Sequence, residues 1–190
     1  MTTTSTHRTD RSSRSAASGG RATAPDLADV RAAVEAVPDP ELPAVTLGML
    51  GMVHAVDLDD RAVHVDLLPT FSGCPAIDVI GDDVRAAVSA VAGVAEVTVR
   101  FLHAPAWTPD RITPAGHEAL RGFGIAPPAD RPSLPSLPVL PSVGAPPDLP
   151  RPCPYCGSTD TERDGMFGPT PCRDVRYCRD CRQPFEGFKS

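Results

Sequence analysis

Long apolar runs, aromatic side chains and lysine are all scarce in this sequence, and each shortage narrows what the chain can be. No window approaches the 18 or so consecutive apolar residues of a membrane-spanning helix. Met1 to Arg21 also lacks the apolar centre of a secretory signal. The expected location is therefore the cytoplasm, with residues 1–24 as a disordered leader. Aromatics make up only 5% of the 190 residues while proline supplies 23, so a good part of the chain is expected to lie outside regular structure. A single lysine stands beside 17 arginines, and the formal net charge is −6 (18 basic minus 24 acidic residues). That balance argues against a general nucleic-acid binder. The acid excess is concentrated in residues 26–125, where 6 basic residues face 15 acidic ones. No internal repeat is present.

The prolines are clustered, and the cluster divides the chain. Ten of them fall within residues 126–152, and Pro132, Pro135, Pro138 and Pro141 recur at every third position. This is the period of a polyproline II helix, so residues 126–150 are expected to form a semi-rigid spacer with a reach of roughly 80 Å at about 3.1 Å per residue. It would separate a unit at residues 25–125 from a second one at 151–190.

In the first unit, Leu27, Val30, Val34 and Val37 lie at helical spacing after Pro25, and Pro38-Asp39-Pro40 ends the run. Met52 to Leu58 and Ala62 to Leu68 flank Asp59-Asp60-Arg61 as a hairpin. Pro75 is expected to open a second helix carrying Ile77, Ile80, Val84, Val88 and Val91. Val97, Val99 and Phe101 then alternate as a strand, and Thr113-Pro114 starts a last helix. The expected fold class is α+β, in the order α-β-β-α-β-α around a small mixed three-stranded sheet, followed by a C-terminal zinc ribbon.

Six cysteines in a reducing compartment point to metal binding or reactive thiols rather than disulfides. Cys153-Pro-Tyr-Cys156 and Cys178-Arg-Asp-Cys181 form two Cys-x-x-Cys pairs. A two-residue gap lets both thiolates of one turn reach one ion, and two such turns complete a tetrahedron, with zinc the expected metal. Taken alone, Cys153 and Cys156 also match a redox dithiol. That motif needs a strand before it and a helix after it, whereas here a proline spacer precedes and Gly157-Ser158-Thr159-Asp160 follows. Cys172 has no assigned partner, although it could replace Cys178 as a ligand. Cys74, at the expected N-cap of the second helix, is the other candidate. Unpaired N–H groups there would favour its thiolate, and a buried structural thiol is the plainer alternative. Asp39 and Glu41, in a loop stiffened by Pro38, Pro40 and Pro43, are candidate fixed acids.

Asp39-Pro-Glu-Leu-Pro, Leu47-Gly-Met-Leu-Gly-Met-Val53 and Thr70-Phe-Ser-Gly-Cys-Pro-Ala76 resemble the signature segments of the MIP-type domain of iron–sulfur assembly factors. Trp107-Thr-Pro-Asp110, Phe167-Gly-Pro-Thr-Pro-Cys172 and Pro184-Phe-Glu-Gly-Phe-Lys189 extend the likeness to the D-component family of bacterial phenylacetyl-CoA epoxidase systems. The resemblance implies an accessory factor in aerobic phenylacetate catabolism with no turnover of its own. It would help assemble or insert an iron–sulfur cluster, with the flavin/iron–sulfur reductase as the client. It would also work alongside the epoxidase subunits and the iron–sulfur assembly machinery. It carries over Cys74 as a transient iron or cluster contact, with Asp39 and Glu41 as acids of the same site, and Cys153, Cys156, Cys178 and Cys181 as zinc ligands. One thiolate cannot hold a cluster, so Cys74 would be shared across a homodimer. Two rival readings remain. One is a nucleic-acid-binding ribbon using Arg173, Arg176, Arg179 and Arg182 around Tyr177. The other is a thiol oxidoreductase using Cys153 and Cys156.

Overall fold

The computed structural model describes residues 24–128 and 150–189, so the leader and most of the expected proline spacer lie outside the described residues. Asp26 starts α1 (Leu27–Glu35) by accepting the Ala28 N–H at 2.7 Å. Val30 and Val34 form its buried face, while Leu27 is 43% exposed. The apolar stripe is narrower than the spacing suggests because the helix ends before Val37, which is buried beyond it. The segment expected to be a rigid loop instead pairs with itself. Strand β1 (Pro38–Asp39) runs antiparallel to β2 (Leu42–Thr46). Asp39 closes the turn between them, its carboxylate accepting the Glu41 and Leu42 N–H groups at 2.8 and 3.1 Å.

The expected mixed sheet forms. Strands β3 (Val53–Asp59) and β4 (Ala62–Leu67) make the hairpin, and β5 (Glu96–Phe101) pairs parallel to β4 to give the order β3-β4-β5. Alternation sends Val63, Val65 and Leu67 inward, and α2 (Ile77–Ser89) covers them with Ile80, Val84 and Val88. This helix begins two residues later than the sequence suggests. Its N-cap is Ala76, whose side chain offers no cap, so Pro75 stands outside the first turn rather than inside it. Helix α3 (Pro114–Gly122) starts as expected, with the Thr113 hydroxyl accepting the Gly116 N–H at 3.1 Å. Gly51 tolerates no side chain. Its φ is +63°, and a Cβ there would lie 2.2 Å from the Arg111 carbonyl oxygen.

The C-terminal half docks onto this layer. Strands β7 (Thr161–Gly165), β8 (Arg173–Cys178) and β9 (Pro184–Phe188) form an antiparallel meander, and β6 (Ile125–Ala126) pairs parallel to β9 to give the order β6-β9-β8-β7. The edge strand of the ribbon's sheet therefore comes from the other side of the proline-rich segment. Phe188 belongs to the main apolar core and packs against Trp107 with ring centroids 5.9 Å apart. The Trp107 indole in turn donates to the Leu50 carbonyl at 2.8 Å. The expected spacer does not keep the two units apart. Strand pairing and a shared core hold the ribbon against the first unit.

Candidate metal centre and the cavity between the two halves

The four paired cysteines converge. Cys153, Cys156, Cys178 and Cys181 place their sulfurs within 4.8 Å of one another. Cys153 faces Cys181 at 3.7 Å and Cys156 faces Cys178 at 3.6 Å. A tetrahedron of about 2.3 Å metal–sulfur bonds has edges of about 3.8 Å, so the spacing fits one four-thiolate ion. The two turns are built alike. The Cys153 N–H reaches the Ser158 carbonyl at 2.8 Å, and the Cys178 N–H reaches that of Gln183 at 3.0 Å. The residue after each pair, Gly157 (φ +75°) or Arg182 (φ +58°), adopts the left-handed conformation that curls the chain back. The N–H groups of Cys181 and Asp180 help hold the Cys178 thiol down at about 7, while burial pushes Cys181 up to about 12. Cys178 is thus set to ionise near neutral pH, and a bound ion displaces the proton that Cys181 holds. Cys172 lies outside this cluster, so it does not replace Cys178.

Cys74 lies in a second place, the seam between the halves. The turn Thr70 to Cys74 is closed by the Cys74 N–H on the Phe71 carbonyl at 3.1 Å. The thiol faces a cavity of about 20 Å³, enough for one water-sized guest. Asp39 and Thr70 line it from the first unit, and Thr170, Pro171 and Cys172 line it from the ribbon. Leu42, Met52, Ile80 and Phe188 supply its apolar wall. The expected thiolate is corrected. Cys74 stands two residues before the N-cap, and burial pushes its thiol up. The nearby Cys172, Asp39 and Glu41 push in the same direction, and the Ala76 N–H only partly opposes them. Burial also raises the Asp39 carboxyl, against the pull of its two N–H donors.

Glu41 does something the sequence did not suggest. It lies 3.5 Å from the guanidinium of Arg173, which also binds Glu186 at 2.6 Å and the Thr170 hydroxyl at 2.7 Å. It is therefore a tether between the halves as well as an acid near the cavity. Sequence reasoning also missed Cys172 and Phe188. The segments Phe167-Gly-Pro-Thr-Pro-Cys172 and Pro184-Phe-Glu-Gly-Phe-Lys189 contain both, but Phe185 and Phe188 fall on opposite parities, so no alternation marks the strand.

Comparison with known proteins follows this division. Residues 27–99 match the model described as an iron–sulfur cluster assembly protein, and residues 144–189 match the PaaD zinc beta ribbon domain. A protein of Escherichia coli strain K12, provisionally named as the D component of 1,2-phenylacetyl-CoA epoxidase, is 36% identical over 165 residues, which is 87% of this chain and 93% of the relative. The chain belongs to this epoxidase D-component family. Members of a neighbouring group share a part of it. The Fe-S protein maturation auxiliary factor YitW of Bacillus subtilis strain 168 is 35% identical over 86 residues, 45% of this chain and 83% of the relative. An Fe-S protein maturation auxiliary factor of Porphyromonas gingivalis is 36% identical over 98 residues, 51% of this chain and 90% of the relative.

In this member of the D-component family the two rival readings lose their footing. No helix follows Cys156, whose sulfur instead faces Cys178. Arg173 and Arg176 are buried in ion pairs, Arg176 with Asp174 at 3.1 Å. Arg179 pairs with Glu162 at 2.5 Å and Asp160 at 3.7 Å. The arginines that would have met phosphates are directed largely at the protein's own acids. Among the described residues no helix is long and apolar enough to cross a membrane.

Proposed function

We propose that this chain is an accessory maturation factor of a phenylacetyl-CoA epoxidase system, assisting assembly or insertion of an iron–sulfur cluster, with the flavin/iron–sulfur reductase as client. Cys74 contacts the iron or cluster transiently, Asp39 supplies a carboxylate beside it, and Glu41 holds the ribbon edge in place through Arg173. Zinc in the four-thiolate ribbon is structural, because a closed set of four sulfurs leaves no open position for chemistry. When bound, it fixes the two knuckles and with them the strands that reach the seam.

The observation that carries this reading is a cysteine lining a partly acidic cavity at the seam, in a chain whose relatives are named as maturation factors and as an epoxidase component. Because Cys74 rests as a thiol, loading displaces its proton, and the site grips a thiophilic cargo without being a standing reactive thiolate. The reading is tested by producing the reductase with and without this chain and measuring iron and acid-labile sulfide per flavin. Lower occupancy without the chain is the expected outcome. Equal occupancy under iron-limited growth refutes the client assignment.

A further inference from the structure

We infer that the seam cavity is a mononuclear metal site with two sulfur ligands, Cys74 from the assembly-type unit and Cys172 from the ribbon, and the Asp39 carboxylate as a third donor. This rests on the proposed role of Cys74 and adds a second ligand, a stoichiometry and a class of cargo. The cargo is a single thiophilic divalent cation such as ferrous iron.

The argument begins with how Cys172 is held. It lies in the loop between β7 and β8, which is pinned at successive positions. The Gly168 N–H donates to the Arg173 carbonyl at 2.8 Å, and the Arg173 N–H donates to that of Thr170 at 3.1 Å. The Lys189 N–H reaches the Cys172 carbonyl at 2.8 Å, and the Lys189 ammonium reaches the Pro171 carbonyl at 2.8 Å. The thiol itself meets the Thr170 hydroxyl at 3.1 Å. The loop is thereby fixed with Cys172 lining the cavity that Cys74 also lines.

Size selects the cargo. About 20 Å³ holds one atom-sized guest, whereas a two-iron cluster has four core atoms and would force the halves apart. Donor chemistry agrees, since two thiolates and a carboxylate suit a borderline-soft divalent ion rather than magnesium or calcium. Binding is redox-neutral. Two metal–sulfur bonds form, the two thiol protons leave to solvent, and the ion keeps its charge. The site differs from the ribbon in one instructive way. Among the described residues only the four ribbon sulfurs are gathered within 4.8 Å of one another, so the three seam donors would have to draw together around an ion. A second thiol from the same chain also removes the need for a dimer to complete the ligand set.

The test uses the full chain with its ribbon zinc-loaded, titrated without oxygen with cobalt(II), whose sulfur-to-metal absorption in the near ultraviolet scales with the number of bound thiolates. Wild type should take up one cobalt beyond its zinc. Cys172→Ser should lose about half of that absorption and bind at least about tenfold more weakly, since losing a direct ligand costs no less than losing a supporting contact. Cys74→Ser should do the same, and the double variant should take up no cobalt beyond its zinc. Zinc content of one per chain in each variant confirms that the ribbon is intact. If Cys172→Ser matches wild type while Cys74→Ser fails, the two-thiol site is overturned and the reading of Cys74 stands. If wild type takes up no cobalt beyond its zinc, the inference fails, and the client-occupancy measurement still decides the proposed function on its own.

Discussion

Truncating Phe188 to alanine tests whether docking of the ribbon builds the cavity. The ring is 2% exposed, sits in the main core, packs on Trp107 and forms part of the cavity wall, although it belongs to the last strand of the ribbon. Phe→Ala changes at buried positions cost about 3–5 kcal/mol, the spread reflecting how far the surroundings collapse. The lower half of that range is the better figure here. The site already borders a void, and the partly buried Glu41–Arg173 pair adds at most about 1 kcal/mol to docking. Urea unfolding of the zinc-loaded chain should therefore show the docked state weakened by about 3–4 kcal/mol in Phe188→Ala. Alkylation of Cys74 and Cys172 should accelerate in parallel, while the four ribbon cysteines stay protected by their ion. Phe188→Leu, which keeps most of the apolar volume, should recover much of the loss. A loss under about 1 kcal/mol with unchanged protection of Cys74 and Cys172 would show that Phe188 does not hold the seam.

Three further outcomes follow from the same geometry. In Asp39→Asn the amide oxygen can still accept the Glu41 and Leu42 N–H groups, and a charge that burial disfavours is gone. Thermal unfolding at pH 7 should be no lower than wild type while cobalt affinity at the seam falls. A lower midpoint would mean that the carboxylate is structural. The Cys74 thiol is raised by burial, so its iodoacetamide rate should keep climbing above the ordinary thiol range of about 8.5 instead of levelling there. Because the folded state holds that proton longer than the unfolded chain, this group's contribution to stability falls as pH rises through the unfolded value. A rate that is flat between pH 7 and 9 would contradict the assignment. Stripping the ribbon metal with a strong chelator should unfold β7 to β9 and expose Phe188, Cys172 and Cys74 together, read by proteolysis near residue 165 and by alkylation. Cleavage without release of Cys74 would show that the ribbon does not cover the seam.

Much of this was legible locally. The three strands of the mixed sheet announce themselves by alternation, as in Val63, Val65 and Leu67, and α2 by Ile80, Val84 and Val88, because each buries a single face. The four ribbon ligands are legible from two identical spacings, which is a local property of a knuckle turn. What escaped is long-range. Cys74 and Cys172 are separated by nearly one hundred residues and a proline-rich stretch, and no periodicity reports that they face one cavity. Strand β8 hides its burial because its inward residues are Asp174 and Arg176, which neutralise one another instead of reading as apolar. The thiolate expected at Cys74 failed for a different reason. Pro75 reads as a first helical residue, whereas α2 begins at Ile77 and burial in the seam outweighs the one N–H that reaches the sulfur.

The central claim is that Cys74 touches the cargo, and transfer tests it most directly. The chain is loaded with isotopically labelled ferrous iron without oxygen and mixed with apo-reductase and a sulfide source, and the label and the recovered electron-transfer activity of the reductase are followed together. Wild type should deliver label and activity, and Cys74→Ser, with its ribbon zinc intact, should deliver neither above the level of free iron. Delivery by Cys74→Ser at the wild-type rate would contradict the account.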